Sequence, residues 1–388
     1  MPYRGLDTRL PTRPLVDFIP DDSLHVDDED AAFYAKDDDY LIHPHWKAMI
    51  QRISNRIPRR IKRYSFVYLG LLVLLFIGWK MHFGPKLSLH RQEIAEMEDT
   101  SKAAYGINVR PHFKDMVYIK SMDEKHLPKG NKRLIAVGDV HGCKEELEQL
   151  LKEVEFNEAH DHLILTGDIV AKGPDSAGVV SLAQKYGASC VRGNHEDKLL
   201  LSIAETSERK ASLPGPTDND PKNSDFLDEE SHSHGADDYT LRKLAKQFSA
   251  EQITWLKELP VILKVERIPL MGEVLVVHAG LVADVPLDQQ DPFQVMNMRT
   301  IDLKTRMPSE ERKFTEWEKY WNHQQKKKAE TERQTVIYGH DAKRGKNIKK
   351  FTKGLDSNCV RGGHLTALII DSEGKTTVTQ VKCTGYVE

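Results

Sequence analysis

A chain of 388 residues is long enough for one large domain with extensions, or for two domains. Its 39% hydrophobic and 30% charged residues describe a globular part joined to very polar segments, and a formal net charge of -3 argues against a general affinity for nucleic acid. The cysteines, Cys143, Cys190, Cys359 and Cys383, form no Cys-x-x-Cys pair, which speaks against thiolate zinc and leaves the redox compartment open.

In chain order, residues 1–63 begin acidic, with "DDSLHVDDED" and "KDDDY", too poor in apolar side chains to build a core, and predict a disordered tail. The basic run "NRIPRRIKR" ends this tail. The apolar block "YSFVYLGLLVLLFIGW" follows, Tyr64 to Trp79, and reaches residue 84 through Met81 and Phe83 if Lys80 snorkels outward. It has no polar face at helical spacing and carries aromatics at both ends, so one transmembrane helix is expected over 64–84. The long preceding tail and the lack of a small-residue cleavage site make it a signal anchor rather than a cleaved signal peptide. Arg52, Arg56, Arg59, Arg60, Lys62 and Arg63 precede the span, whereas Lys80, Lys86 and Arg91 follow it with Glu93 and Glu96 close by. The positive-inside rule then predicts a type II protein, with its amino terminus cytoplasmic and the larger carboxy-terminal part in a lumen. No Asn-x-Ser/Thr sequon is present to report on that topology.

Residues 85–130 read as a polar stalk and 131–388 as the folded domain. "RLIAVG", "HLILTG" and "SCVRG" predict strands, alternating with helices over "KEELEQLLKEVEF" (Leu147, Leu150, Leu151 and Val154 on one face), "SAGVVSLAQKYG" and "EDKLLLSIAE". That βαβαβα order predicts an α/β fold with a mostly parallel sheet. "EVLVVHAG", "QTVIYG", "LTALIID" and "TTVTQVK" supply strands for a second sheet or second half. Between the two groups, 207–238 is a Pro/Ser/Asp-rich insertion expected to be a mobile loop, in which His232 and His234 read as solvated rather than metal-binding.

One kind of punctuation recurs at the strand ends: Gly138-Asp139-Val140-His141-Gly142, Gly167-Asp168, Gly193-Asn194-His195-Glu196, His278-Ala279-Gly280 and Gly339-His340-Asp341. A single such tip is ordinary turn chemistry. Their repetition suits a ligand site beyond the carboxyl ends of the strands, where α/β sheets bind. Asp139, His141, Asp168, Asn194, His278 and His340 offer oxygen and imidazole ligands without sulfur, which fits manganese, iron, zinc or cobalt better than calcium. Asp168 is the natural carboxylate for two cations to share, and two such ions would clamp an in-line displacement at phosphorus.

The ordered motifs "GDVHG", "GD…GP", "RGNHE", "HAG" and "YGH" resemble the calcineurin-type metallophosphoesterases, over roughly 131–385. The resemblance implies two mixed β-sheets sandwiched between helices. It implies Asp139, His141 and Asp168 around one metal, and Asp168, Asn194, His278 and His340 around the other. His195 would protonate the leaving group, and Arg192 and Arg299 would hold phosphate. The chain departs from the protein Ser/Thr phosphatases at Ala171-Lys172, where they carry Asp-Arg. The missing aspartate would have oriented His195, a task left to Glu196 or Asp197. "GDIVAKGPDS" and "GLDSNCVRGGHLTAL" are closer to the symmetrical diadenosine tetraphosphatases, with Lys172 keeping a positive charge without the guanidinium fork.

A lumenal, membrane-anchored member of this subgroup is similar to the zinc-dependent polyphosphatases of fungal vacuoles. That likeness implies two divalent ions, zinc first with cobalt, manganese or magnesium as alternatives, and endopolyphosphatase activity. The basic run "KRGKNIKKFTKG" after His340, with Lys343 and Arg344 foremost, suits a long polyanion such as inorganic polyphosphate or reads as a solvated face. "QQKKKAE", Gln324 to Glu330, reads as the exposed side of a charged helix. Diadenosine polyphosphate hydrolysis and protein phosphatase activity are the alternatives, the latter disfavoured by Ala171-Lys172. The oligomeric state is not legible.

Overall fold

In the computed structural model of the chain, residues 58–98, 116–208 and 236–387 are described, together with positions 46, 48 and 49. The expected disordered tail falls almost wholly outside the described residues, as do His232, His234 and most of the insertion. The chain divides into two units, 1–89 and 90–388.

Helix α1 (Arg59–Glu98) carries the apolar block, with none of its most apolar window buried. Among the described residues it is the one helix long and apolar enough to cross a membrane. It runs through Pro85 to Glu98, so residues 85–98, expected to belong to a polar stalk, are helical. Proline removes one backbone donor, but most of "KLSLHRQEIAEME" favours helix and continues it.

In the second unit, one sheet contains β1 (Ile119–Ser121), β5 (Ile262–Ile268), β6 (Gly272–Val277), β10 (Gln334–Tyr338), β12 (Thr352–Gly354) and β11 (Asn347–Ile348), in that spatial order. The other has the order β14 (Thr376–Lys382), β13 (His364–Ile370), β2 (Arg133–Val137), β3 (Asp161–Leu165), β4 (Ser189–Cys190). A small sheet of β7 (Thr300–Ile301), β8 (Pro308–Ser309) and β9 (Thr315–Glu316) stands apart from both. The sheets are mixed: β2, β3 and β4 run parallel, as do β6, β10 and β12, with antiparallel β13, β14 and β5.

The two-residue side-chain period builds the sandwich. Leu134 and Ala136 of β2 point inward with Ile164, Val274, Val276, Ile337, Leu368 and Ile370. The alternate residues Ile135, Val137, Leu163 and Leu165 turn outward onto α2 (Lys144–Glu153) and α3 (Ser176–Lys185), meeting Leu147, Leu150, Val179 and Val180. On the other sheet Leu275, Val277, Val336 and Tyr338 face Trp317 and Trp321 of α8 (Trp317–Lys327). Strands covered on both faces read as continuous apolar runs, and each fully buried aliphatic side chain contributes roughly 1.5–3 kcal/mol.

Several expectations change. "LTALIID" and "TTVTQVK" do not join a second sheet: β13 returns to pair with β2, and β14 extends that sheet. β1 pairs with β5 while Met122 and Leu127 enter the inter-sheet core, so the folded domain starts before residue 131. Helix α5 (Ala236–Ala245) begins inside the expected insertion. Helix α4 (Asn194–Glu208) and α6 (Ala250–Lys257) complete the layer beside α3. The "QQKKKAE" run straddles the end of α8, which stops at Lys327. Cys359 and Cys383 form a disulfide, brought together because His364 and Lys382 lie opposite each other in the β13–β14 hairpin. Cys143 and Cys190 remain buried thiols, and burial pushes Cys143 up to about 12.

Candidate metal centre

The five punctuated tips follow β2, β3, β4, β6 and β10, at the carboxyl ends of the parallel strands of both sheets. Two hydrogen bonds cross between the sheets there. The His278 Nδ1–H donates to the carbonyl of Thr166 at 2.9 Å, and the His340 amide donates to the Asp139 carboxylate at 3.0 Å. Such approach requires glycine: a Cβ at Gly339 would lie 1.8 Å from Asp139 Oδ1, and one at Gly193 would lie 2.2 Å from Asp168 Oδ1. His141, Asp168 and His340 take φ of 48°, 49° and 70°, left-handed conformations worth about 1–3 kcal/mol of strain each in non-glycine residues. Glu196 holds the tips after β3 and β4 in place, its buried carboxylate accepting from the amides of Asp168, Ile169, Val170 and Gly193.

Asp168 is the hub. Its Oδ2 lies 3.3 Å from His278 Nε2, 3.7 Å from His141 Nε2 and 3.8 Å from His195 Nε2. His141, Asp168 and His195 form one group whose ligand atoms lie within 4.8 Å of one another; Asp168, His278 and His340 form a second. Asp168 is common to the two groups. The first group contains His195, while Asp139 accepts both of its short contacts from the His340 amide.

Backbone carbonyls separate the histidines into two kinds. His278 is anchored by Thr166, His340 through Nε2 by the Asn297 carbonyl at 3.0 Å, and His141 through Nδ1 by the Val170 carbonyl at 3.3 Å. Only an N–H can bond a carbonyl, so each of these rings turns its lone-pair nitrogen into the centre, as metal-binding histidines do. His195, although buried, has neither nitrogen hydrogen-bonded among the described residues. Glu196 is taken up by the four amides and Asp197 pairs with Arg192, so neither expected carboxylate orients His195.

The charges fit a cation. His278 Nε2 faces Asn194 Oδ1 at 2.9 Å as well as Asp168 Oδ2, and such a cluster of electron-rich atoms demands a proton or a metal. The buried Asp168 Oδ2 and His340 Nδ1 have no hydrogen-bond partner among the described residues. Burial would raise Asp168, but His278, His195 and His141 hold it well below the usual carboxylate range. Burial would likewise depress His278, yet Asp168 and Asp139 push it up to about 10. Burial and then Lys172 bring His141 down to about 3. Burial, followed by the charge of Asp356, raises Asp139. Asp356 is a buried carboxylate beyond the end of β12 that the sequence reading passed over. The signal was available, since Gly354-Leu355-Asp356 repeats the glycine–aspartate punctuation with one residue inserted.

The proposed phosphate-binding residues divide. Lys172 reaches the His141 side, with Nζ 3.3 Å from His141 Nε2. Arg299, just before β7, lies close enough to His340 for its charge to depress that imidazole, after burial. Arg192 is held by Asp197 and the carbonyl of Lys257. Arg344 is bound to the buried Glu318 and to Asp341, so its charge is engaged within the fold. Lys349 shares Glu318, and Lys353 is buried with its ammonium on the Lys349 carbonyl. Arg344 and Lys349 of the basic run are therefore engaged in internal ion pairs, while Lys343, Lys346 and Lys350 are exposed.

The family model for calcineurin-like phosphoesterases matches residues 132–365. The chain is 28% identical over 290 residues to the zinc-dependent endopolyphosphatase of Saccharomyces cerevisiae, covering 67% of this chain and 83% of that protein. It is 34% identical over 147 residues to a symmetrical bis(5'-nucleosyl)-tetraphosphatase of Tolumonas auensis, covering 37% of this chain and 43%, under half, of that enzyme. A crystal structure described as a candidate diadenosine tetraphosphatase superposes with a TM-score of 0.51 at 31% identity, over 69% of this chain and 98% of that one. With the matching model spanning more than half of its length, and with this arrangement of histidines and carboxylates at the strand tips, the chain belongs to the calcineurin-like phosphoesterase family, whose members work with a dinuclear metal centre.

Proposed function

We propose that this phosphoesterase hydrolyses phosphoanhydrides, with inorganic polyphosphate cut internally as its substrate. The observation that carries the reading is the state of His195: a buried imidazole at the centre with neither nitrogen hydrogen-bonded among the described residues, in a chain with Ala171 where a protein phosphatase has aspartate. An unoriented imidazole is a weak general acid. A phosphoserine expels an alkoxide that needs a proton in the transition state, whereas an anhydride expels a phosphate that is already a good leaving group. The similarity to the endopolyphosphatase of Saccharomyces cerevisiae supports the polymeric substrate.

In this reading Asp139, His141 and Asp168 hold one divalent ion, and Asp168, Asn194, His278 and His340 the other, zinc being the first choice. When bound, the ions supply Lewis acidity and a nucleophile at neutral pH. The protein's own groups do the rest. The carbonyls of Val170, Thr166 and Asn297 fix the ligand tautomers. Lys172 on the His141 side and Arg299 on the His340 side bind non-bridging oxygens, and His195 is placed to pass a proton to the bridging oxygen that leaves. Helix α1 anchors the chain, and its flanking charges support a lumenal catalytic domain. The Cys359–Cys383 disulfide supports an oxidising compartment, and we take the vacuole as that lumen on the resemblance noted above.

Hydrolysis of diadenosine polyphosphates is the second reading, favoured by the tetraphosphatase-like structure. The test uses the full chain in detergent, stripped of metal and resupplied with zinc, cobalt, manganese or magnesium. Long-chain polyphosphate is followed on a gel, with diadenosine tetraphosphate and a phosphopeptide in parallel. A metal-dependent ladder of intermediate lengths is expected. Intact polyphosphate with rapid loss of the dinucleotide transfers the assignment to the second reading, and preferential turnover of the phosphopeptide removes the anhydride argument.

A further inference from the structure

The last residues of α1, 90–98, belong to the second unit and pack against α8. Met97 is buried in the apolar cluster that also holds Ile301 of β7, Leu303 and Tyr320. Glu93 pairs with Lys319, and the Met97 carbonyl accepts from Gln324 at 3.1 Å. The neighbouring carbonyl, of Glu96, accepts from Arg306 Nη2 at 3.0 Å. The final carbonyls of a helix have no donor within it, and here α8 and Arg306 supply one each. Arg306 sits in the turn that joins β7 to β8, where the Asp302 amide donates to the Met307 carbonyl and the Arg306 amide to that of Asp302. Its φ is 62°, a conformation for which turns favour glycine or asparagine. The arginine is buried there, with its guanidinium 4.6 Å from the centre of the Tyr320 ring. The tip of the turn is thus tied to both α1 and α8.

Two residue pairs, Thr300–Ser309 and Ile301–Pro308, lead from this turn to the other end of the hairpin. There the Arg299 amide donates to the Ser309 carbonyl at 2.8 Å, and Arg299 Nη1 to the Glu310 carbonyl at 3.2 Å. Two residues earlier, Asn297 ends α7 (Pro292–Asn297), and its carbonyl takes the His340 ring. The hairpin therefore has one clamped end and one end at the metal centre. We infer that Arg306 is a positioning residue for the reaction: held by the end of α1 and by Tyr320, it sets the hairpin that aims Arg299 at phosphate. Residues 93–97 are then a working part of the catalytic site and not only the base of an anchor. This role of Arg306 rests on the phosphate-binding role proposed for Arg299, and on no particular choice of polyanion. In the sequence, Arg306 stands in the plain stretch "LKTRMPSE", and residues 90–98 read as stalk.

The affinity of inorganic phosphate is measured by calorimetry on the full-length, zinc-loaded chain in detergent, with bound zinc and melting temperature recorded for each variant. Arg299→Ala is expected to weaken phosphate about tenfold, the scale of one charge-assisted pair. Arg306→Ala should weaken it about fivefold through misplacement of Arg299. Met97→Ala, which keeps Arg306 but loosens the segment that holds it, should cost about threefold by the same route. In an Arg299→Ala background, adding Arg306→Ala should change the affinity less than about twofold, because its effect travels through Arg299. Lys304→Ala removes an exposed cation of the same turn and should change nothing; a loss matching that of Arg306→Ala would count against the assignment. Additive losses from Arg299→Ala and Arg306→Ala, or wild-type affinity in Arg306→Ala, overturn it. If Arg306→Ala lowers the melting temperature sharply or loses zinc, Arg306→Lys and Met97→Ala decide. Wild-type affinity in both overturns the assignment, and a loss that vanishes in the Arg299→Ala background supports it. Full affinity in Arg299→Ala removes the phosphate role of Arg299 and this role of Arg306 with it. Polyphosphate left intact on the gel, with the coupling present, overturns the choice of substrate alone.

Discussion

The two halves of the centre are held by different means. On the side of β6 and β10, His278 and His340 are each fixed by a backbone carbonyl, and the charge of Arg299 acts on His340. On the side of β2, β3 and β4, His141 has its carbonyl but His195 has none, and the backbone through Asp168, Ala171 and Lys172 is left-handed throughout those three positions. Anchored imidazoles are built to hold a cation in one geometry. An imidazole near the start of α4 with no carbonyl to anchor it among the described residues is suited to moving a proton, and weakly.

The largest effect should come from the residue that both halves share. Asp168→Asn keeps the shape but removes the charge facing three histidines, and turnover is expected to fall about 10³-fold or more, with loss of bound metal by elemental analysis. Retention of both ions with wild-type turnover would mean that the halves are independent. His195→Asn addresses one side only. A loss of about 10²-fold, the low end for general acid catalysis, is expected with metal content unchanged. A missing ion in that variant would move His195 among the ligands and erase the contrast.

Glu196 supports the strained side alone, so Glu196→Gln sharpens the comparison through stability. The amide offers one acceptor oxygen where the carboxylate serves four N–H groups, and a cost of about 1.5–3 kcal/mol in urea unfolding is expected. An unchanged urea midpoint would show that the loops hold themselves.

The smallest effect lies at the far end of β3. His162 is stacked on His126 with ring centroids 3.8 Å apart and bonded to Ser189, and burial followed by the charges of His126 and Lys125 brings it down to about 3. His278, beside Asp168, moves the other way. Between the two values for His162, the unfolded chain, titrating near 6.5, binds more protons than the folded one. Stability therefore falls as pH drops below 6.5 toward 3, with a limiting slope of about 1.4 kcal/mol per pH unit. Relative to His162→Gln, the wild type should lose about 1–2 kcal/mol between roughly pH 6.5 and 5 in urea titrations. Parallel pH profiles would show that His162 charges freely in the fold.

The sequence by itself determined the apolar span, the strands that lead to the five punctuated tips and the identity of the residues at those tips, but not β5 or the short strands. These follow from local rules: an apolar run at helical length, alternation along a pleat, and glycine where two backbones must meet. It also determined that Ala171 replaces an acid. What it lacked was any measure of which distant side chains come together. The Cys359–Cys383 bridge depends on the register of the β13–β14 hairpin, and the return of β13 to β2 leaves no mark in either strand. Arg344 and Lys349 look like solvent-facing cations in the chain, yet a buried glutamate on α8 claims both. Arg312 looks like any surface arginine until the turn between β8 and β9 carries it to Asp341. A charge is legible from one residue, but whether it is available depends on the charge that packing places against it, and only the tertiary structure decides that.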